Sequence, residues 1–368
     1  MIHIAKPNIG KEEIEAVSNV LKSGMLAQGK VVEEFEEAFA EYCNAKYAIA
    51  TSSGTTALHT ALASIGIKEK DEVITTDFSF VASASSILMQ GASPVFCDVE
   101  KETFNINPLL IEEKITDKTK AILPVHLYGH PCDMKVINEI ASDNDLLVLE
   151  DACQAHGAMY NNKKVGSIGD LGVFSFYPTK NMTTGEGGII VTNDEKIAKK
   201  AKLFQNHGQH EKYMHGSLGY NYHMTNISAA IGLVQLKKLD SWNSKRRRNA
   251  EYFTNNFSKI NGVISPVVKE YATHCFHQYS VIIEEDFSLK RENVTKYLQE
   301  KGVGFGIHYP LPLHKQPLFG ENKSVFPVAD DLSKRVLSLP IHPQLSRQDL
   351  DLIVNCFEEM REEKWMLA

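Results

Sequence analysis

The feature that most constrains the fold is a regular alternation of short apolar runs and helical segments that begins near residue 47. The apolar runs are YAIATSS, DEVITTD, SPVFCDV, KAILPVHLYG and LLVLED. Helical patterns separate them, as in TTALHTALASIG and FVASASSILMQG. Continuous apolar runs between helices are typical of strands buried on both faces of a parallel sheet. The chain is therefore predicted to be an α/β protein with a mostly parallel central sheet.

One pair of strands breaks this rule. The β-rich segments GVFSFYP and GGIIVT are separated by too few residues for a crossover helix. Parallel neighbours need such a crossover, whereas antiparallel neighbours do not. We therefore expect one antiparallel pair within the sheet.

The length of 368 residues exceeds what one hydrophobic core usually serves. We predict a large domain over residues 1–240, with an N-terminal helical segment, and a small C-terminal α+β domain over residues 241–368. Helical patterns continue from NISAAIGLVQLKKLDSW through KRRRNAEYFTNNF, and another runs from residue 347 to the end. The basic run at residues 245–248 is interpreted as a solvated helix face rather than a phosphate site.

Charge and cysteine usage exclude several classes of protein. The net charge of -7 gives no field that would collect nucleic acid or an anionic membrane, so neither partner is expected. The six cysteines are scattered singly and are predicted to be reduced thiols. No run of about 18 apolar residues and no signal-peptide pattern occurs, so a cytoplasmic location is expected.

The first candidate site is SSGTT, at residues 52–56 between a strand and a helix. Small residues allow close backbone approach, and the start of a helix offers free N–H groups and a favourable dipole. These properties suit a phosphate group. Ser and Thr also cap helices without binding anything, so this segment alone leaves both interpretations open.

Three further candidates lie where predicted strands end, the place where open α/β sheets build their sites. Asp151 follows LLVLE and could hold a cationic ring nitrogen, hold a metal, or cap the next segment. Lys180 follows GVFSFYPT and precedes the glycine-rich GEGG, and it could belong to a loop that folds around a bound group or be a surface charge. Phe80 follows DEVITTDFS and could lie flat on a planar cofactor or be a packing residue.

Several histidines invite a metal interpretation. The spacing of His207, His210 and His215 matches no standard site, and no acidic partner is evident. We therefore assign no metal.

Four motifs occur in a fixed order: SSGTTAL, EDACQAHGA, SFYPTKNMTTGEGG and GYNYHMTNISAAIG. In this order they resemble the DegT/DnrJ/StrS sugar aminotransferases of the aspartate aminotransferase superfamily. The resemblance extends over nearly the whole chain, from SGMLAQGKVVEEFEEAF to YPLPLHKQP and VLSLPIHPQLS. It implies the PLP-dependent transferase fold type I, with pyridoxal 5'-phosphate as the cofactor.

The resemblance also implies residue roles. Lys180 matches the catalytic lysine that holds the cofactor and shuttles a proton between substrate and cofactor carbons. Asp151 matches the carboxylate that pairs with the ring nitrogen. The remaining cofactor-binding residues implied are Gly54, Thr55 and Ser175 at the phosphate, Gln154 near the ring hydroxyl, Phe80 against the ring face, and Asn221 reaching the phosphate from a neighbouring subunit.

The position of Asn221 implies a homodimer with its active sites at the interface. By analogy, the substrate would be a nucleotide-linked keto sugar carried by UDP or dTDP, with L-glutamate as amino donor and a surface glycan as destination. One departure is His223, which stands in GYNYHM where family members usually have arginine. A titratable donor thus replaces a permanent charge. The replacement could alter substrate preference, or the residue could have a structural role only.

Two alternatives remain open at this stage. The fold also hosts elimination and sulfur-transfer reactions, and Cys153 is a thiol beside Asp151. A sensor that kept the cofactor pocket but lost the chemistry is the other alternative. The presence of both Lys180 and Asp151 favours a working aminotransferase.

Overall fold

The computed structural model describes residues 1–320 and 324–361. The helices are α1 (Lys11–Ser23), α2 (Lys30–Cys43), α3 (Gly54–Ser64), α4 (Ala82–Met89), α5 (Met134–Asp143), α6 (Glu195–Gln205), α7 (Asn226–Phe257), α8 (Arg291–Glu300), α9 (Pro327–Arg335) and α10 (Arg347–Arg361). Short 3-10 helices lie at Pro108–Leu110, Glu112–Lys114, Leu127–Gly129, Leu313–Lys315 and Pro317–Phe319. The helix expected from residue 347 is α10, and residues 362–368 lie outside the described part.

The strands are β1 (Tyr47–Thr51), β2 (Glu72–Thr76), β3 (Ser93–Cys97), β4 (Thr119–Leu123), β5 (Leu147–Asp151), β6 (Met159–Tyr160), β7 (Lys163–Lys164), β8 (Leu171–Ser175), β9 (Gly188–Thr192), β10 (Gln209–Glu211), β11 (Met214–His215), β12 (Val263–Ile264), β13 (Ala272–Thr273), β14 (Tyr279–Ile283) and β15 (Val336–Leu339). Seven of them form the central sheet in the order β1-β9-β8-β5-β4-β2-β3.

The central sheet is mostly parallel, as predicted. Strands β8, β5, β4, β2 and β3 pair in parallel. The exception is β9, which pairs antiparallel with both β8 and β1. The expected antiparallel pair is therefore confirmed, and reversing β9 leaves β1 parallel to β8. The carboxyl ends of β1, β2, β5 and β8 consequently meet at one edge of the sheet.

Apolar side chains cover both faces of this sheet. Two core clusters share its strands: one contains Phe35 and Phe39 of α2, and the other contains Leu58 and Leu62 of α3. Strands β8 and β9 are buried along their whole length. Burial on both faces explains why their sequences are continuous apolar runs rather than alternating ones.

A third apolar cluster lies in the C-terminal part. It gathers the end of α7, the strand β14 and the helix α10 around Phe257 and Phe357, whose rings are 4.9 Å apart. Ile2, at the other end of the chain, joins the same cluster. The division at residues 240 and 241 falls inside the continuous helix α7, and it stays a prediction.

The interpretation of the basic run 245–248 needs a correction. Lys245 and Arg248 are exposed, but Arg246 is 5% exposed. The guanidinium of Arg246 donates to the carbonyl oxygens of Phe276 at 3.1 Å and His277 at 3.4 Å. Burial lowers the pKa of Arg246 to about 10. One member of the run therefore faces inward, because α7 packs against the segment that leads into β14.

In the described part of the chain, no helix is long and apolar enough to cross a membrane.

Candidate active site

A cavity of about 890 Å³ opens at the edge where the carboxyl ends of the parallel strands meet. Seven of the eight residues implied by the resemblance line it: Gly54, Thr55, Phe80, Asp151, Gln154, Ser175 and Lys180. They come from four separate turns of the chain. The fold thus brings together residues that are up to 126 positions apart, from Gly54 to Lys180.

Lys180 lies in a tight loop after β8. Its backbone N–H donates to the carbonyl of Tyr177 at 2.9 Å. The next residue, Asn181, is 4% exposed, and its side-chain amide donates to Asn243 Oδ1 at 2.8 Å and to the carbonyl of Cys275 at 3.0 Å. These bonds tie the loop to α7 and to the segment before β14. The direction in which Lys180 leaves the backbone is therefore fixed.

The chemistry of an amine depends on its protonation state. Burial lowers the pKa of Lys180, while Cys153 and Asp151 oppose the shift. A lowered pKa increases the fraction of neutral amine near pH 7, and the neutral amine is the nucleophile. Lys180 is therefore suited to attack a carbonyl carbon.

Asp151 ends β5 and is 4% exposed. Its Oδ2 accepts a hydrogen bond from Ser83 Oγ at 2.7 Å, and its Oδ1 accepts from the N–H of Cys153 at 3.1 Å. Two donors hold the carboxylate in one orientation at the cavity wall. A buried carboxylate needs compensation, and a cationic ring nitrogen in the cavity would supply it.

The neighbour of Asp151 anchors this strand end. Glu150 is fully buried and accepts bonds from the N–H groups of Gly166, Ile168 and Gly169, each at 2.7 Å. It also lies 3.0 Å from Nε2 of the buried His126. Both acids of the ED pair are thus paired, but Glu150 faces the scaffold and Asp151 faces the cavity.

The SSGTT segment starts α3. Ser53 caps the helix, because its Oγ accepts from the N–H of Thr56 at 3.1 Å. Gly54 is the first helical residue, and a Cβ built there would lie 2.6 Å from Ser175 Cβ. Only glycine allows α3 to begin so close to the end of β8. The segment therefore caps a helix and also presents the helix N-terminus to the cavity. Its role in binding a phosphate stays a prediction.

Gln154 and Phe80 contact the same aromatic side chain. Gln154 Nε2 donates to Tyr309 Oη at 2.9 Å, and its Oε1 accepts from the N–H of Tyr128 at 2.9 Å. The ring of Phe80 lies 6.4 Å from that of Tyr309. Phe80 is 56% exposed and lines the cavity, and its place against a planar cofactor stays a prediction.

Sequence reasoning missed one whole wall of the cavity. His277 and Gln278 precede β14, and His308 and Tyr309 belong to the loop before the 3-10 helix at Leu313–Lys315. Burial lowers the pKa of His308 to about 4 and that of His277 as well, with the charge of Lys180 acting in the same direction. Both rings are neutral near pH 7. The segment YPLPLHKQP, which begins with Tyr309, belongs to the family resemblance, but its residues alone do not indicate a site.

Two residues of GYNYHM do not line the cavity of their own chain. Asn221 is exposed and forms a backbone bridge with Asn206. His223 is partly buried and bridges Thr51, next to the SSGTT segment. Its pKa is lowered by burial and by the nearby His207. The role given to Asn221 stays a prediction.

The described residues contain no group of three or more His, Cys, Asp or Glu side chains arranged to hold a metal ion. All six cysteines are free thiols.

Comparison with known proteins agrees with this geometry. The model of the DegT/DnrJ/EryC1/StrS aminotransferase family matches residues 7–358. The chain is 41% identical over 346 residues to the dTDP-3-amino-3,6-dideoxy-alpha-D-galactopyranose transaminase of Aneurinibacillus thermoaerophilus, covering 94% of each chain. It is 39% identical over 368 residues to the GDP-perosamine synthase of Escherichia coli O157:H7, covering 99% of each.

A solved structure shows the same fold. The S. venezuelae protein DesV superposes with a TM-score of 0.92 at 35% sequence identity, covering 95% of this chain and 94% of that one. Fold, cavity and sequence identity therefore agree. The chain belongs to the DegT/DnrJ/EryC1/StrS aminotransferase family and is a pyridoxal-phosphate-dependent sugar aminotransferase.

Proposed function

We propose that the protein moves an amino group from L-glutamate to the keto group of a hexose carried by a nucleoside diphosphate, for surface glycan synthesis. The observation that carries this proposal is the placement of Lys180, Asp151 and the start of α3 around one cavity. The names of the relatives support a dTDP or GDP carrier. A UDP carrier is included among the substrates to be tested.

The residues present fit pyridoxal phosphate. The N-terminus of α3 at Gly54 and Thr55, with the hydroxyl of Ser175, suits the phosphate. Asp151, oriented by Ser83, suits the ring nitrogen. When bound, the cofactor supplies an electron-withdrawing ring that stabilises negative charge on the carbon next to the transferred nitrogen.

The chain's own groups perform the remaining tasks. Lys180, with its lowered pKa, supplies a neutral amine that attaches the cofactor and then moves a proton at the substrate carbon. Neutral His277 and His308 offer hydrogen bonds to sugar hydroxyl groups without adding charge. The cavity of about 890 Å³ has room for a cofactor together with a sugar ring.

The lining also supports a homodimer. Among the described residues that line the cavity, Lys180 is the sole lysine or arginine. A substrate with carboxylate or diphosphate groups requires more cationic hydrogen-bond donors than the lining of this cavity offers. The hairpin β10–β11 and its flanks expose Tyr213 (81%) and Leu218 (72%) and lead to Asn221. We propose that this segment reaches the site of a second copy.

The substrate is tested by incubating the enzyme with glutamate and a panel of UDP-, dTDP- and GDP-linked hexoses with the keto group at carbon 3 or 4. Mass spectrometry and NMR identify the product. Amination of one member and release of 2-oxoglutarate are expected. Release of more than one keto acid per enzyme site, together with ammonia and without any keto sugar, would instead favour elimination chemistry.

Shared sites are tested by mixing two inactive variants, Lys180→Ala and Asn221→Ala. If each site takes Lys180 from one copy and Asn221 from the other, random exchange restores one intact site in half of the dimers. Activity should then recover to about one quarter of the wild-type value. No recovery in a mixture shown to exchange subunits would contradict the shared site.

A further inference from the structure

Asp77 and His314 are 237 positions apart and form a buried pair beside the cavity. Asp77 is 0% exposed and His314 is 4% exposed. Asp77 Oδ2 lies 2.6 Å from His314 Nδ1, and Oδ1 accepts from the backbone N–H of His314 at 2.8 Å. The carbonyl of Asp77 also accepts from the N–H of Leu313 at 2.8 Å. One residue after β2 therefore makes three hydrogen bonds to one short segment.

The two ends of this pair carry opposite walls of the cavity. Asp77 is followed by the turn with Ser79 and Phe80, and His314 is preceded by the loop with His308 and Tyr309. All four of those residues line the cavity, whereas Asp77 and His314 do not. The pair can therefore act on a substrate only through the residues it holds.

The walls meet at aromatic contacts. The ring of Tyr309 lies 6.0 Å from Phe78 and 6.4 Å from Phe80. Its hydroxyl accepts a hydrogen bond from Gln154 at 2.9 Å. Ring contacts of this kind are weak individually and tolerate displacement. Two of the bonds between Asp77 and the 313–314 segment are the stronger constraint, because a buried carboxylate makes them.

The far side of His314 is held as well. Its Nε2 lies 3.7 Å from Asp330 Oδ1 in α9. The start of α9 is in turn capped by Asp98, which accepts from the N–H groups of Val328 at 3.0 Å and Ala329 at 2.9 Å. The imidazole thus lies between two carboxylates, and the loop cannot shift without breaking several bonds at once.

We propose that the Asp77–His314 pair is a positioning device that holds the Tyr309 loop against the Phe80 turn and so sets how tightly the cavity binds the keto sugar. This role rests on the proposed function. In the described part of the chain, neither Lys180 nor Asp151 makes a hydrogen bond with the pair, so the amine that attaches the cofactor and the carboxylate at its ring nitrogen stay in place when the pair is broken. Binding of the sugar should suffer more than turnover.

The test compares holoenzymes of the wild type, Asp77→Asn and His314→Asn, with Ile353→Val as a control. Ile353 is fully buried in the C-terminal cluster, and its truncation lowers stability without touching either wall. Asn at 314 keeps a side-chain donor near the place of Nδ1 and serves as the conservative variant. Three quantities are measured: amide hydrogen exchange in residues 308–315, and both KM and kcat for the sugar that the wild type accepts.

In Asp77→Asn we expect exchange in 308–315 to rise by about tenfold, KM to rise about five- to twentyfold, and kcat to change less than about twofold. His314→Asn should fall between this variant and the wild type. Exchange no faster than in Ile353→Val, or faster exchange with KM unchanged, would overturn the proposal. If the wild type aminates no sugar, the proposed function fails, while the exchange comparison on the same samples still decides whether the pair holds the loop.

Discussion

The cavity has two walls of different chemistry. The first is built from the strand exits of the large sheet, and it carries the ionisable groups Lys180 and Asp151 together with the start of α3. The second is built from the C-terminal segments, and it carries His277, Gln278, His308 and Tyr309. The first wall offers an amine, a carboxylate and a helix N-terminus, which suit the proposed contacts with the cofactor. The second offers neutral donors and acceptors, which suit a sugar.

This difference in chemistry favours a first wall that serves the cofactor and a second wall that serves the substrate. Changes in the first wall should reduce turnover or cofactor affinity, and changes in the second should alter substrate affinity or the response to pH.

Replacing Lys180 by Ala should reduce turnover by at least about 10³-fold, because the chain loses both the attachment point and the proton carrier. Steady-state assays on the aminated sugar measure the effect. Lys200→Ala, at an exposed position of α6, is the control and should retain full activity. Substantial turnover in Lys180→Ala would contradict the assignment of the chemistry to the first wall.

Asp151→Asn should reduce kcat by about 10²-fold or more, since the ring nitrogen loses its anionic partner. Ser83→Ala removes one bond of 2.7 Å to that carboxylate and should cost about tenfold. Ser85→Ala, on the same helix, is the matched control. If Ser83→Ala were as damaging as Asp151→Asn, orientation rather than charge would be the main contribution of this carboxylate.

Gly54→Ala should weaken pyridoxal phosphate binding by about tenfold, because the new Cβ would lie 2.6 Å from Ser175 Cβ. Absorbance titration of the apoenzyme measures the affinity. Adding Ser175→Gly removes the clashing atom, so the double variant should regain thermal stability while still lacking the serine hydroxyl. Unchanged cofactor affinity in Gly54→Ala would place the phosphate elsewhere.

A histidine of the second wall should make the free energy of unfolding depend on pH. His308 has a pKa of about 4 in the folded protein, below the ordinary value near 6.5 that it regains on unfolding. The unfolded state therefore binds more protons between pH 6.5 and 4, and stability is lost as pH falls through that window. His308→Asn should reduce this acid-dependent loss by roughly 1–3 kcal/mol, measured by urea unfolding at pH 8 and pH 4.5. An equal loss in both proteins would show that His308 titrates normally.

The two walls also differ in how far the sequence predicts them. Asp151 ends β5 and Lys180 lies in the loop after β8, so local patterns locate these residues of the first wall. The central sheet and its antiparallel pair follow from the same patterns. The positions of His277 and Tyr309 in the cavity depend on packing of the C-terminal segments onto the sheet. A local sequence pattern does not predict such long-range contacts. The burial of Arg246 is not predicted for a related reason. A run of charged residues does not indicate which of its members faces a buried carbonyl.

We expect the cofactor to be attached covalently to Lys180, and borohydride reduction of the holoenzyme tests this attachment. After proteolysis, mass spectrometry should find the reduced phosphopyridoxyl group on the peptide that contains SFYPTKNMTTGEGG, at Lys180 alone. An unmodified Lys180 in enzyme shown to be loaded with cofactor, or a label on another lysine, would contradict the assignment of the first wall.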